Sequence, residues 1–518
     1  MHSAIRKVPL QRIKLCGHRL LRPEYVFFLV FIVCATLIAI SIPVGGGFDE
    51  PTHVARVDQL SRGEILPQEI GPQPAMNTRP PHNSTLYGGS IDSGLVQVTV
   101  NNMQQFQLGK EKYPFPSWEA PSAQGHRRWS GVTTEFAFSN TAINSPVAYA
   151  PQIIGSRIAK LFSTNITINV LAMRLAGILF FALSLFFCIR VIPVGKWVLT
   201  TVSLIPGVLC TNSTVTADLM TYVVPTAFLT SLLVALHSSK AISTCNWIFL
   251  GITTISLGLV KISVLPMLAL LVLIPLIKPQ CRSRKDLSIL VSFAVVSIII
   301  FLLWYAQINH VNTGAMWSSG ADPDLQKAFI LQHPGSFAKA LFHQFFSQNY
   351  FLIGYLGVLN AHGTIGFSSW FTIVALMCAM VLKDTREQPG RILVKHYRLI
   401  AAGFFTASLL IFLLTEIALY LQFSAVGSPI ITGVQSRYFL PIVNLFVIPL
   451  LLMFGHNSVN SEDTQPLESD SVDYKKSLIA IPQRGTIFMV AIQLFSAAVL
   501  IIELFYSVYG LRPIVNNI

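Results

Sequence analysis

A bundle of membrane-crossing helices is the fold class this chain predicts, and three observations carry it. Hydrophobic residues make up 53% of the 518 and charged residues only 11%, with a mean hydropathy of +0.60. A soluble domain carries about 25% charged residues. Apolar runs approaching the roughly 20 residues a span needs recur along the chain, and the lysines and arginines cluster between them. The expectation is an all-α integral membrane protein of about eleven spans.

In order, the runs are 25–44, 167–189, 197–211, 218–237, 244–260, 263–277, 286–307, 365–382, 399–421, 437–454 and 486–508. The stretch 146–163 has apolar length but carries Pro146, Pro151, Arg157 and Lys160. That composition predicts a segment lying on the membrane surface. The first run lacks a small-residue cleavage site and reads as an uncleaved anchor.

Basic residues give the polarity. Residues 1–24 carry Arg6, Lys7, Arg12, Lys14, Arg19 and Arg22 and are expected in the cytoplasm. Alternating sides from there puts 21 of the 36 basic residues on that segment and on compact inner loops. The net charge of +13 then serves anionic lipid, and no nucleic-acid partner is called for. The large segment 45–166 falls outside, as does 308–348. The polar stretch 456–485 is expected to be a flexible cytoplasmic loop, and 486–518 to hold the last span and an outer C-terminus. A multi-pass membrane location is expected, with membrane lipids as partners.

No cysteine lies in 45–166, so no disulfide framework or cysteine metal motif is expected there. Trp118, Trp129, Phe136, Phe138 and Tyr149 provide the apolar material on which that segment can fold.

The run Gly45-Gly46-Gly47-Phe48-Asp49-Glu50-Pro51-Thr52-His53 follows the first span. Pro51 suits the first helical position, with Glu50 as cap of a surface helix running to about Arg62. Asp49, His53 and Arg56 are then spaced i, i+4, i+7 on one face. Such a face suits a general base with an orienting partner, or a divalent cation. Helix capping by the acids is the simpler account of the same pattern.

Other charges sit at the ends of apolar runs. Arg437 and Tyr438 open a late span; Lys261 lies between two apolar runs; Asp218 starts another. An arginine fork suits phosphate oxygens, and Lys261 suits either a phosphate or Asp218. Arg437 snorkelling to headgroups beside an interfacial tyrosine is the competing account. Arg174 lies near the start of its span. The cluster His126-Arg127-Arg128-Trp129 reads as a solvated or headgroup-facing patch.

Five segments in order resemble one family. They are Gly47-Phe48-Asp49-Glu50-Pro51-Thr52-His53-Val54-Ala55-Arg56, Asn144-Ser145-Pro146-Val147-Ala148-Tyr149-Ala150-Pro151-Gln152, Val215-Thr216-Ala217-Asp218, Lys261 with Pro266, and Gly433-Val434-Gln435-Ser436-Arg437-Tyr438-Phe439-Leu440-Pro441. Together they resemble the bacterial membrane-protein family designated domain of unknown function 2142, over roughly 25–455. Ser436 stands where that pattern has glycine, and 354–366 lacks its Gly-Trp-Leu-Asp and offers Asn360.

The family is similar in plan to GT-C glycosyltransferases, multi-span enzymes with an acidic motif on a large first extracytoplasmic loop. The resemblance implies transfer of a sugar from a polyprenyl phosphate to a cell-envelope polysaccharide, lipid or protein. It implies Asp49 as the catalytic carboxylate, with Glu50 second. His53, Arg56, Asp218, Lys261, Arg437 and Tyr438 become candidate substrate contacts, with metal use open. A transporter of lipid-linked saccharides and a non-catalytic envelope scaffold are the alternatives. A transporter should show interrupted helices in two related halves, a repeat this sequence does not display.

Overall fold

The computed structural model describes residues 21–70, 85–108, 128–237, 240–311, 320–346, 367–381, 391–459 and 484–509. Helices dominate, and each of the eleven apolar runs forms helical structure within them. Among the described residues six helices are long and apolar enough to cross a membrane: Pro23–Ser41, Ile166–Val191, Asp218–His237, Arg284–Ile308, Tyr397–Phe423 and Gly485–Leu504.

Burial orders these helices around a centre. In Asp218–His237, 89% of the apolar window is enclosed by protein, against 11% in Arg284–Ile308. The first is the hub; the second shows Val291, Ile299, Leu302 and Leu303 to the surroundings, as a lipid-facing helix does. Asp218, at the start of the hub, is therefore held by the whole bundle.

Two expected spans take other forms. The run 197–211 is two short helices, Lys196–Ser203 and Pro206–Asn212. Pro206 has no N–H to continue the first helix and suits the start of a second. The run 263–277 opens as a 3-10 helix, Ile262–Val272, with Pro266 inside it, and ends as Leu273–Ile277. At about 2.0 Å per residue for its 11 tight residues and 1.5 Å for the 5 that follow, it extends about 30 Å, near the thickness of the hydrocarbon layer.

The stretch 146–163 is a 3-10 turn, Pro146–Tyr149, followed by the helix Ala150–Phe162. At 13 residues the helix is too short to span. It exposes Ile154, Ile158, Leu161 and Phe162 and packs its other face on Ile166–Val191. A Cβ on Gly155 would stand 2.4 Å from the Ala172 carbonyl oxygen, so the two backbones are in contact there.

The segment after the first span adds a small antiparallel sheet, which the all-helical expectation did not include. Its strands are Gln68–Ile70, Leu86–Asp92 and Thr133–Ala137, in that order across the sheet. The register pairs Gly88 with Ala137 and Asp92 with Thr133. Asp92 ends the middle strand and accepts from the amides of Gly94 and Leu95, 2.9 and 3.2 Å away. It thereby caps the helix Ser93–Leu108. Val54, Val57, Ile91, Leu95, Phe136, Phe138 and Tyr149 form a core continuous with Val170 and Met173 of the second span. This core, without disulfides, fixes the segment to the bundle.

The helix Glu50–Ser61 lies inside that arrangement, buried from Glu50 to Leu60, and is not the surface helix its polar composition suggested. Several of its polar side chains are paired with neighbours. Asp58 receives Lys160 Nζ at 2.8 Å and also pairs with Arg62; Gln59 accepts from Arg56 Nη1 at 2.5 Å. Buried polar groups are tolerated where partners are supplied. The features expected at Trp118, His126, Arg127 and 354–366 lie outside the described residues, as does most of 456–485.

Candidate functional site

The turn between the first span and the 50–61 helix is built by three glycines and one unusual aspartate. Gly45 has φ +90°, and a Cβ there would lie 2.2 Å from the Thr99 carbonyl oxygen. Asp49 has φ 52° and ψ 18° and is the only non-glycine residue with positive φ among the described residues. The left-handed conformation costs roughly 1–2 kcal/mol, least for Asn and Asp. Asp49 precedes the first helical residue but makes no capping hydrogen bond with its side chain. Its carboxylate points elsewhere, and a strained residue spared from capping is a functional candidate.

Arg437 takes that carboxylate. Its Nη2 donates to Asp49 Oδ2 at 2.5 Å, and its Nη1 to the Phe48 carbonyl at 3.4 Å. On its other edge, Nε lies 3.3 Å from Asp218 Oδ2, an ion contact without hydrogen-bond alignment. Lys261 Nζ donates to the second oxygen of Asp218. The chain Asp49–Arg437–Asp218–Lys261 thus balances two negative charges with two positive ones. Aromatic rings line it: Lys261 Nζ is 4.9 Å from the Tyr438 ring centre, and Arg437 is 5.2 Å from that of Phe48. The ends are open while the middle is closed. Asp49 and Lys261 side chains are each 30% exposed, Arg437 and Asp218 only 8% and 10%.

Glu50 plays a different part. It occupies the first helical position, with Pro51 second, one residue earlier than the sequence suggested. Its side chain is fully buried, and its Oε1 and Oε2 accept from Arg174 at 2.7 and 2.5 Å. They also accept from the amides of Val215, Gly45 and Gly47, each at 3.0 Å. Burial pushes this carboxyl up, but Arg174 and the amide donors outweigh it and hold the group below its ordinary value of 4.5. Arg174 also donates to the carbonyls of Ala39, Ile42 and Pro43 at 2.6, 2.7 and 2.9 Å. With every acceptor site occupied and no surface exposed, Glu50 anchors the turn and has no lone pair free for a substrate. Arg174, noted in the sequence only for its place near the start of a span, is heavily bonded; its signal was an arginine inside a run of otherwise apolar residues.

His53 shares the face of Asp49, as the spacing implied. Its Nδ1 lies 2.7 Å from the Tyr149 hydroxyl. Burial, then the charge of Arg437, holds its pKa down to about 4, so the ring is neutral. Arg56 turns away from the cluster. It is fully buried and donates to Gln59, to Ile65 O at 2.8 Å and to Asn144 O at 3.5 Å. Its role is to tie the helix to the following loop, so it leaves the group of substrate contacts. Among the described residues no set of three or more His, Cys, Asp or Glu is grouped to hold a metal ion. Asp49 and Asp218 flank arginine instead.

The five sequence segments meet here. Ser145 Oγ donates to Leu259 O at 2.5 Å and Gln152 Nε2 to Thr216 O at 3.0 Å, which joins the 144–152 segment to the neighbours of Lys261 and Asp218. The profile of the predicted membrane protein family DUF2142 matches residues 30–446, and the chain belongs to that family. No curated protein and no solved structure gives a match.

Proposed function

We propose that this DUF2142 protein is a membrane glycosyltransferase of GT-C-like plan, acting with inversion on a polyprenyl-phosphate sugar at the extracytoplasmic face. In this reading residues 25–455 form one bundle, with 1–24 and 456–485 in the cytoplasm. The acceptor belongs to the cell envelope. The observation that supports it is Asp49. It is the one left-handed non-glycine residue described, and it is aimed at Arg437 beside an accessible lysine.

The charges suit such a reaction. A phosphate arriving at the cluster competes with Asp49 and Asp218 for Arg437 and Lys261, and an arginine fork favours phosphate. Arg437 then shifts toward the phosphate, which frees Asp49. The freed carboxylate accepts the proton of the acceptor hydroxyl. The hydroxyl oxygen forms a bond to the anomeric carbon as the bond from that carbon to the phosphate oxygen breaks. The electron pair leaves on the polyprenyl phosphate, where Arg437 and Lys261 stabilise it. The sugar carbon carries positive charge in between. Aromatic Phe48 and Tyr438 give the cations an apolar floor.

Purified protein in lipid nanodiscs, given polyprenyl-phosphate sugars and envelope acceptors, is the test. Turnover that falls at least about 100-fold in Asp49→Asn, with the fold unchanged, supports the assignment. Full activity of that variant ends it. A transporter of lipid-linked saccharide is the second reading. The observation that favours it is Glu416, 1% exposed inside a span, with neither carboxyl oxygen hydrogen-bonded among the described residues. Movement of intact lipid-linked sugar across vesicles, without turnover, is its signature.

A further inference from the structure

We propose that His53 serves the cluster as a neutral hydrogen-bond donor to the bound ligand through Nε2–H, rather than as a base or a metal ligand. The argument starts at Asn144. Its Nδ2 donates to Thr141 O at 3.1 Å, which sets the orientation of the amide, and to the Tyr149 hydroxyl at 3.3 Å. Tyr149 is fully buried, and burial pushes its phenol well above the ordinary range, so it keeps its proton. A hydroxyl that accepts from Asn144 has one hydrogen to give, and His53 Nδ1 at 2.7 Å is its acceptor. A neutral imidazole whose Nδ1 accepts must carry its hydrogen on Nε2.

That Nε2–H has no protein partner among the described residues. The residue as a whole is only 5% exposed, and a donor left without a protein partner at so enclosed a place suits a ligand acceptor. The position is informative. His53 lies one helical turn from Asp49, and its ring feels the charges of Arg437, Asp49, Asp218 and Lys261, all four members of the cluster. Whatever sits between those charges meets an N–H from His53. The ligand atom it fits is an acceptor oxygen, on phosphate or on the sugar. An imidazole held in this way cannot take a proton at Nδ1, which leaves Asp49 as the base. This inference rests on the glycosyltransferase reading for its ligand, while the tautomer rests on the Asn144–Tyr149–His53 contacts together with the neutral ring.

The experiment uses full-length protein in nanodiscs with 15N-labelled histidine, and His53→Gln to identify the signals of residue 53. From about pH 5 to about pH 8 the expected spectrum shows Nε2 protonated and Nδ1 bare. Tyr149→Phe removes the lock and mixes the tautomers. Adding undecaprenyl phosphate shifts the Nε2 signal. His53→Asn keeps an acceptor near Tyr149 but removes the outer donor, and weakens binding of that lipid about tenfold. His53→Gln, which places an amide where Nε2 stood, retains most of it. Nδ1 found protonated in wild type overturns the inference, as does lipid binding that leaves Nε2 unmoved. A wild type with the expected tautomer that fails to bind undecaprenyl phosphate refutes the ligand assignment and, with it, the glycosyltransferase reading.

Discussion

Replacing Arg174 by alanine should cost about 3–4 kcal/mol of stability, and the structure says where the loss arises. Both Arg174 and Glu50 side chains are 0% exposed. Breaking such a pair by removing one partner costs about 3–5 kcal/mol, because the remaining charge is stranded. Here the stranded carboxylate keeps the amides of Gly45, Gly47 and Val215, which offset part of the penalty. Against that, the carbonyls of Ala39, Ile42 and Pro43 lose their donor at the end of the first span. The estimate therefore sits in the lower half of the range. The buried thiols Cys34, Cys188 and Cys210 provide the assay. Their labelling by a thiol-reactive fluorophore in detergent, followed against temperature or denaturant, reports opening of the bundle. Arg174→Met combined with Glu50→Gln removes both charges and should recover much of the loss, giving a coupling energy of about 2–3 kcal/mol. An Arg174→Ala protein within about 0.5 kcal/mol of wild type would refute the idea that this pair holds the Asp49 turn.

Three further outcomes follow from the same geometry. Glu50 has its folded pKa below its unfolded one, so its contribution is present above pH 4.5 and is lost as pH falls through the lowered value; a thermal-melt series into acid should show wild type losing stability that Glu50→Gln never had. Gly45→Ala meets both the positive φ and the Thr99 carbonyl and should destabilise by at least about 1 kcal/mol in the same labelling assay, whereas Gly63→Ala, with φ +90° but open space around it, should cost only its backbone strain. Arg437→Lys keeps the charge but cannot span Asp49 and Asp218 at once; polyprenyl-phosphate affinity, measured by equilibrium binding, should fall about tenfold.

Composition and periodicity already determined that this chain lives in a membrane. A chain with 11% charged residues and repeated apolar runs can only bury its backbone groups as helices in lipid. The acidic turn, Lys261, Asp218 and Arg437 were also legible, because a charge beside a span is conspicuous against apolar neighbours. Their meeting was not, since 388 positions separate Asp49 from Arg437 and no local pattern encodes such a contact. Nor was the division of labour between the two adjacent acids. Asp49 and Glu50 differ by one methylene in sequence, yet one is a saturated anchor and the other projects into an open cluster. The left-handed backbone at Asp49 sends the two side chains in different directions. Only the packed turn, with Thr99, Thr214 and Arg174 around it, imposes that conformation.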